Sequence, residues 1–256
     1  MLVMERRQRL LEVVNQRKSV RVSELAKLFS VTDETIRRDL EKLETEKKLA
    51  RSHGGAVSIA PAQEEPEIPV QEREVMYVDE KREIAQEAVK HIVKSDKILL
   101  DASTTAWYVA RNLPNQVMTV LTNSLKVELE LSKKSNITVI STGGTLQGRS
   151  LSYVGPLTER ALDLFHVNKA FISCKGIHMD YGISESNEQE AHVKQKMIEM
   201  TDTVYILADH HKFHQQAFAH VASLDKVSRM ITDSKAEESD ILLLQEAGIE
   251  VMKAFQ

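Results

Sequence analysis

The sequence predicts an α/β chain in two parts. A small N-terminal unit of helices and a hairpin precedes a larger domain built on a mostly parallel sheet. Three observations carry this reading. In residues 30–44, SVTDETIRRDLEKLE, Ile36, Leu40 and Leu43 fall at i, i+4 and i+7, one stripe of an amphipathic helix. From residue 79 onward, apolar runs such as KILLD, VMTVLT and TVYILA alternate with helical patterns such as REIAQEAVKHIV. Between the two parts lies APAQEEPEIPVQERE, rich in Pro and Glu and without periodicity, which reads as a linker. The expected divisions are 1–57, a linker over 58–76, and 77–256.

Taken in order, residues 4–16 read as a helix with Leu10, Leu11, Val13 and Val14 inward, and Val20–Val22 as an edge strand. Ser23 is placed to cap a short helix, SELAKLF. The turn SVT then leads into the helix with Thr32 as N-cap and Asp33 and Glu34 in its first turn, running to about Lys47. LARSHGGAVSI alternates around Gly54-Gly55, a hairpin signal. In the larger domain, strands are expected at KILLD, VMTVLTNS, NITVISTGG, KAFISCKG, TVYILAD, VSRMITD and IEVMK. Helices are expected at DEKREIAQEAVKHIV, TAWYVARNL, KVELELSK, LTERALDLF, NEQEAHVKQKMIEM and ESDILLLQEAG.

At 256 residues with 42% hydrophobic and 28% charged content, the chain is long enough for two modest domains or one large one with an appendage, packed rather than disordered. No apolar run is long enough to span a bilayer, the first residues lack the continuous apolar core of a signal peptide, and Cys174 is the single cysteine. A cytoplasmic location is expected. Net charge is −4 overall but split along the chain. Residues 1–57 carry 13 Lys+Arg and 9 Asp+Glu, a net of +4, against a net of −8 for the remainder. A basic head on an acidic body suggests an anionic partner for the head, the alternative being chance unevenness.

A short helix, a tight turn, a second helix and a hairpin make a winged helix-turn-helix, in which the second helix enters the major groove of double-stranded DNA. The charges agree. Arg37 and Arg38 lie in the front half of that helix, with Glu41, Glu44 and Glu46 behind, where they would repel phosphates. Thr32 and Thr35 can donate to phosphate or base, and an Arg can grip guanine in bidentate fashion. Arg51 and His53, two apart on a strand, share one face of the wing. The bland alternative is a solvated face on a winged helix that contacts protein.

VRVSELAKLFSVTDETIRRDLEKLE followed by LARSHGGAV strongly resembles the N-terminal domain of DeoR-family bacterial transcription regulators. The TIRRDL-x-x-LE core and the R-x-H-G-G-A wing are specific to that family, and the resemblance runs through nearly the whole chain. It implies a repressor of a sugar-catabolism operon whose C-terminal domain senses a phosphorylated sugar.

The larger domain is read independently. Open α/β sheets bind ligands beyond the carboxyl ends of their strands, and five such ends here are polar. KILLD runs into Asp101-Ala102-Ser103-Thr104-Thr105, with hydroxyls and free N–H groups at a helix start. VMTVLT ends near Asn123, and NITVIS in Thr142-Gly143-Gly144, where missing side chains admit a ligand to the backbone. KAFIS ends in Cys174-Lys175-Gly176, and TVYILA in Asp209 with Lys212 beyond. These motifs also resemble the family's effector domain, similar in fold to ribose-5-phosphate isomerase. The resemblance implies a pocket of Asp101, Thr104, Thr105, Asn123, Gly143, Gly144, Lys175, Glu190, Asp209 and Lys212. The chain departs from the family pattern at Ser103, Cys174 and His211, which bears on the sugar that fits.

The isomerase relatives carry a carboxylate base in an Asp-Gly-x-Asp turn. Here SCKGIHMDYG places Lys175 there, with Asp180 later in a loop, so binding without turnover is expected, an isomerase-like enzyme being the alternative. No cofactor or metal is expected. His210, His211 and His214 lack a ligand pattern, and Cys174 reads as a small buried side chain. Trp107 and Tyr108 read as core. The chain is expected to be a homo-oligomer, with ESDILLLQEAG and REIAQEAVKHIV offering apolar surfaces. DASTTAWYVARNLP with SCKG resembles the family members that regulate 6-deoxyhexose use. This implies a phosphorylated deoxyketose such as rhamnulose 1-phosphate or fuculose 1-phosphate as effector, another sugar phosphate being the runner-up, with Trp107 and Cys174 as candidates for an apolar wall.

Overall fold

The structure is a computed structural model that describes residues 3–17, 19–46, 48–52, 54–58 and 68–255. The chain divides into two compact units, Met1–Glu65 and Pro66–Gln256.

The first unit runs α1 (Val3–Arg17), β1 (Ser19–Arg21), α2 (Val22–Phe29), α3 (Asp33–Thr45), β2 (Leu49–Ser52) and β3 (Gly55–Ser58). The strands form an antiparallel sheet in the order β1-β3-β2, and together these six elements make a winged helix-turn-helix. Ile36, Leu40 and Leu43 turn inward onto Leu10, Val14, Leu25 and Leu49, as the stripe predicts. Thr32 caps α3 by accepting from the Thr35 N–H at 3.3 Å. Ser23 does not cap α2. That helix starts one residue earlier, because the Val22 N–H is satisfied by the Gly54 carbonyl in the wing turn at 2.9 Å. Gly55 is required where it stands, since a Cβ there would lie 2.3 Å from the Val20 carbonyl oxygen.

The second unit opens with α4 (Val70–Val75) and α5 (Val78–Lys90). It continues through β4 (Lys97–Leu100), α6 (Thr104–Asn112), β5 (Met118–Thr122), α7 (Leu125–Leu131) and β6 (Ile137–Ser141). A hairpin, β7 (Thr145–Gln147) and β8 (Ser152–Val154), precedes α8 (Pro156–Leu162) and β9 (Val167–Ser173). Next come β10 (Gly176–His178), β11 (Gly182–Glu185), α9 (Glu188–Glu199), β12 (Thr201–Leu207) and β13 (Ala219–Ala222). The unit ends with β14 (Arg229–Thr232), α10 (Glu238–Glu246) and β15 (Glu250–Lys253).

Seven strands form one parallel sheet in the order β15-β14-β12-β9-β4-β5-β6. The strand order reverses between β4 and β9, which makes the gap beyond their carboxyl ends the topological switch point. Alternate residues of each strand face opposite sides, and both sides are covered. Leu99, Ile172 and Ile206 pack with α8, α9 and α10, whereas Leu100, Phe171 and Leu207 pack with α5, α6 and α7. Burial on both faces is why these strands read as continuous apolar runs.

Three further features depart from the sequence reading. The stretch read as linker carries α4, whose Val70 is buried and donates its N–H to the Arg149 carbonyl at 2.7 Å. The β7–β8 hairpin and the antiparallel sheet β10-β11-β13 were not anticipated. Among the described residues, no helix is long and apolar enough to cross a membrane.

Candidate functional site

On the first unit, Arg37 and Arg38 are exposed, away from the buried stripe of α3. Arg38 Nε lies 3.5 Å from Glu34, one turn earlier, and both side chains are solvated. The Thr32 and Thr35 hydroxyls share a 2.9 Å hydrogen bond, so that between them one donor remains for an outside acceptor. Arg51 is exposed on β2, with its backbone N–H donated to Glu44 at 3.1 Å. His53 lies outside the described residues. One group escaped the sequence reading. Asp39, buried on the inner face of α3, accepts from Arg6 Nε at 2.6 Å and Arg7 Nε at 2.7 Å, fastening α1 to α3. Two of the cations behind the net charge of this unit are therefore engaged internally.

On the second unit, side chains converge at the switch point. Asp101 ends β4 fully buried. One carboxylate oxygen accepts from the Ser103 N–H and hydroxyl, and the other accepts from the Ser173 N–H at 3.0 Å. Lys194 reaches in from α9, with Nζ 3.3 Å from Asp101 and donating to the Ser173 carbonyl and to Glu185. Lys212 donates to the Ser173 hydroxyl at 2.5 Å and lies 3.8 Å from Asp209. Ser103 caps α6, and Thr104 and Thr105 are buried in its first turn.

A second group is gathered by β8. Asn123 Nδ2 donates to the Tyr153 carbonyl at 3.0 Å, while Ser152 donates to Glu190 at 2.5 Å. Asn123 Oδ1 is buried without a hydrogen-bond partner among the described residues. Gly143 has open space where a Cβ would stand. At Gly144 that space is taken by the Thr158 hydroxyl, 2.1 Å from an added Cβ. Lys175 stands apart, with its side chain exposed. Asp180 is exposed at the β10–β11 turn.

The electrostatics follow from burial and pairing. Burial alone would raise the Glu185 carboxyl, but the charge of Lys194 outweighs it and holds the group below its usual value. Burial would lower Lys194, yet Glu185 and Asp101 raise it instead. Asp209 is likewise held low by Lys212 and His211 against the pull of burial. Burial pushes the Cys174 thiol up to about 12, which makes it inert as a nucleophile. His210, His211 and His214 each pair with a different carboxylate, Asp233, Asp209 and Asp240. Trp107 packs with the cluster on one face of the sheet and carries Lys126 over its ring at 3.5 Å. Cys174 belongs to the cluster on the other face, so the two form no common wall.

Sequence reasoning missed Lys194, Glu185 and Ser173. The signal for Lys194 was its position: Glu190, Lys194 and Met197 fall at i, i+4 and i+7, and all three are buried.

The DeoR-like helix-turn-helix domain matches residues 6–62, and the DeoR C terminal sensor domain matches residues 76–234. The chain belongs to the DeoR family. This DeoR-type transcriptional regulator joins a DNA-binding helix-turn-helix domain to a C-terminal sensor domain. It is 55% identical over 251 residues to the uncharacterized HTH-type transcriptional regulator YulB of Bacillus subtilis (strain 168), covering 98% of this chain and 96% of that one. It is 38% identical over 224 residues to the L-fucose operon activator of Haemophilus influenzae, covering 88% and 89%. A ribose 5-phosphate isomerase A from Methanocaldococcus jannaschii superposes with a TM-score of 0.40 at 17% identity, over 53% of this chain and 54% of that one.

Proposed function

We infer that this DeoR-family protein binds operator DNA through α3 and the wing as a repressor of a sugar-catabolism operon. A phosphorylated sugar bound at the carboxyl ends of β4, β9 and β12 relieves or alters that binding. The observation that carries the sensing half is the meeting of Asp101 and Lys212 on Ser173 at the switch point, with Asp209 3.8 Å from Lys212, beside the Thr104–Thr105 helix start. A cation and free helix N–H groups suit a phosphate. Buried carboxylates and Asn123 Oδ1 suit sugar hydroxyls. Fuculose 1-phosphate or rhamnulose 1-phosphate is the proposed effector. The DASTTAWYVARNLP and SCKG motifs support it, as does 38% identity to an L-fucose operon activator. The test is thermal stabilisation across a panel of sugar phosphates and their free sugars. At 100 times its dissociation constant the effector should stabilise by about 2.7 kcal/mol. Binding should fall sharply without the phosphate and in Lys212→Ala, and equal affinity for sugar and sugar phosphate would refute the phosphate site.

On the DNA side, Arg37→Ala and Arg38→Ala should each weaken binding to an operator selected by the wild-type protein. Whichever reads guanine should relax discrimination at that base by about 1–3 kcal/mol. Unchanged binding in both, at two salt concentrations, would refute the groove assignment. A homo-oligomer would present recognition helices to repeated half-sites. Ile84, Ala85 and Ala88 of α5 are buried in the core, and Val78 and Val89 pack against it. On α10, Leu242 and Leu243 are exposed, and that helix is the proposed contact. Light scattering should show more than a monomer at micromolar concentration, reduced by Leu242→Glu.

A further inference from the structure

Lys81, on the first turn of α5, is a lysine buried almost completely, and no carboxylate among the described residues lies within ion-pair distance of it. Its amine donates to the carbonyls of Arg73 and Met76, at the end of α4 and the residue after it. Between the two helices Tyr77 is held in the left-handed region, φ 51°, and its ring stacks on His211 at 3.9 Å. His211 in turn bonds to Asp209, and Lys212 follows it. The α4–α5 turn therefore sits against the carboxyl end of β12, where Lys212 reaches Ser173.

Two carbonyl dipoles are incomplete compensation for a buried cation. Burial, then the neighbouring charge of Lys212, push the Lys81 amine down to about 8. An anion arriving near Lys212 would meet a second cation whose present partners are neutral. Those partners belong to α4, the first described helix after the wing in chain order. Beyond Lys81, α4 is held by buried Val70, by the Tyr108 hydroxyl donating to the Glu74 carbonyl at 3.3 Å, and by an ion pair between Glu74 and Lys126.

We propose that Lys81 is both a ligand for the anionic group of the effector and the clasp that holds α4. Anion binding draws its amine away from the Arg73 and Met76 carbonyls and loosens α4, where the chain from the DNA-binding domain joins the sensor. This rests on the sugar-phosphate reading above and adds the residue that converts occupancy into a change of structure. It meets the requirement that an effector bind two states unequally: the clasped state lacks one of the two cations the anion would gain.

The experiment is hydrogen–deuterium exchange on the full-length protein over residues 69–77, with and without fuculose 1-phosphate or a large excess of inorganic phosphate. Lys81→Met is run alongside, with thermal unfolding to confirm that it folds. In the wild type, phosphate should speed exchange over 69–77 by at least about fivefold, while strands β9 and β12 stay protected. Ligand-free Lys81→Met should already exchange at the faster rate, bind either phosphate at least about tenfold more weakly and lose the response. Faster exchange in the ligand-free variant with a wild-type response to phosphate would overturn the ligand role. Phosphate binding that leaves 69–77 unchanged in the wild type, or that is undiminished in Lys81→Met, would overturn the proposal while leaving the sugar-phosphate reading intact. No phosphate-dependent stabilisation of the wild type by either compound would overturn both.

Discussion

Lys194→Met should lower the unfolding free energy of the sensor domain by about 3–5 kcal/mol, the scale of breaking a buried ion pair by removing one partner. The lysine amine is buried between Asp101 and Glu185 and also donates to the Ser173 carbonyl at 2.7 Å. Methionine fills the space of the stem but leaves two carboxylates in a dry site without their cation. The pH dependence tests the cause. Lys194 holds Glu185 below its usual value, so this contribution is present above the unfolded carboxylate value of about 4.3 and is lost as pH falls through the lower folded one. Lys194 itself is raised, so its contribution is undiminished up to about pH 10. Urea unfolding should therefore show a gap between wild type and variant that is constant from pH 7 to 9 and narrows in acid as the carboxylates take up protons. A gap that widens in acid, or a loss below about 1 kcal/mol at pH 7, would mean that the carboxylates do not depend on Lys194.

The parts of this fold that a reader of the sequence can see are those where burial dictates residue type. The seven parallel strands are covered on both faces and so appear as apolar runs, while the inward stripe of α3 appears as Ile36, Leu40 and Leu43. The β11–β13 pairing is invisible for the opposite reason. It joins Ile183 to Ala222 and Glu185 to Ala219, partners far apart in sequence, through strands of four residues with no periodic signal. In α4, six residues beside a Pro-rich stretch are too few to show a periodic stripe or to hold a helix alone, and tertiary contacts at Val70, Glu74 and Lys81 hold them. At the strand ends, Asp101 and Asp209 could be named because they follow apolar runs directly, and Lys212 because it lies three residues beyond Asp209. Lys194 could not be found by that rule, since it arrives from the middle of a helix, α9, rather than from the end of a strand. Charge counting had a matching weakness: Arg6 and Arg7 enter the net of +4 that suggested an outside partner, and the structure gives them to Asp39.

Asp39→Ala should loosen the DNA-binding domain to the point that operator binding is lost, with the sensor domain unaffected. Asp39 is the buried acceptor between α1 and α3, and each of its oxygens takes one arginine Nε. Its removal leaves both guanidinium groups without that acceptor, and the loss is again about 3–5 kcal/mol. In a domain of this size the whole stability is of that order, at about 0.05–0.15 kcal/mol per residue. Asp39→Asn keeps the shape and one acceptor while removing the charge, and should fall between wild type and Asp39→Ala. Amide exchange in the full chain reads both effects at once. Exchange should rise over α1 and α3 in the order wild type, Asn, Ala, with β9 and β12 unchanged, and operator affinity should fall in the same order. Arg37 and Arg38, the residues proposed to read the operator, are untouched by either change. A loss of DNA binding with full protection of α1 and α3 would therefore show that Asp39 acts at the DNA surface rather than through the packing of the domain.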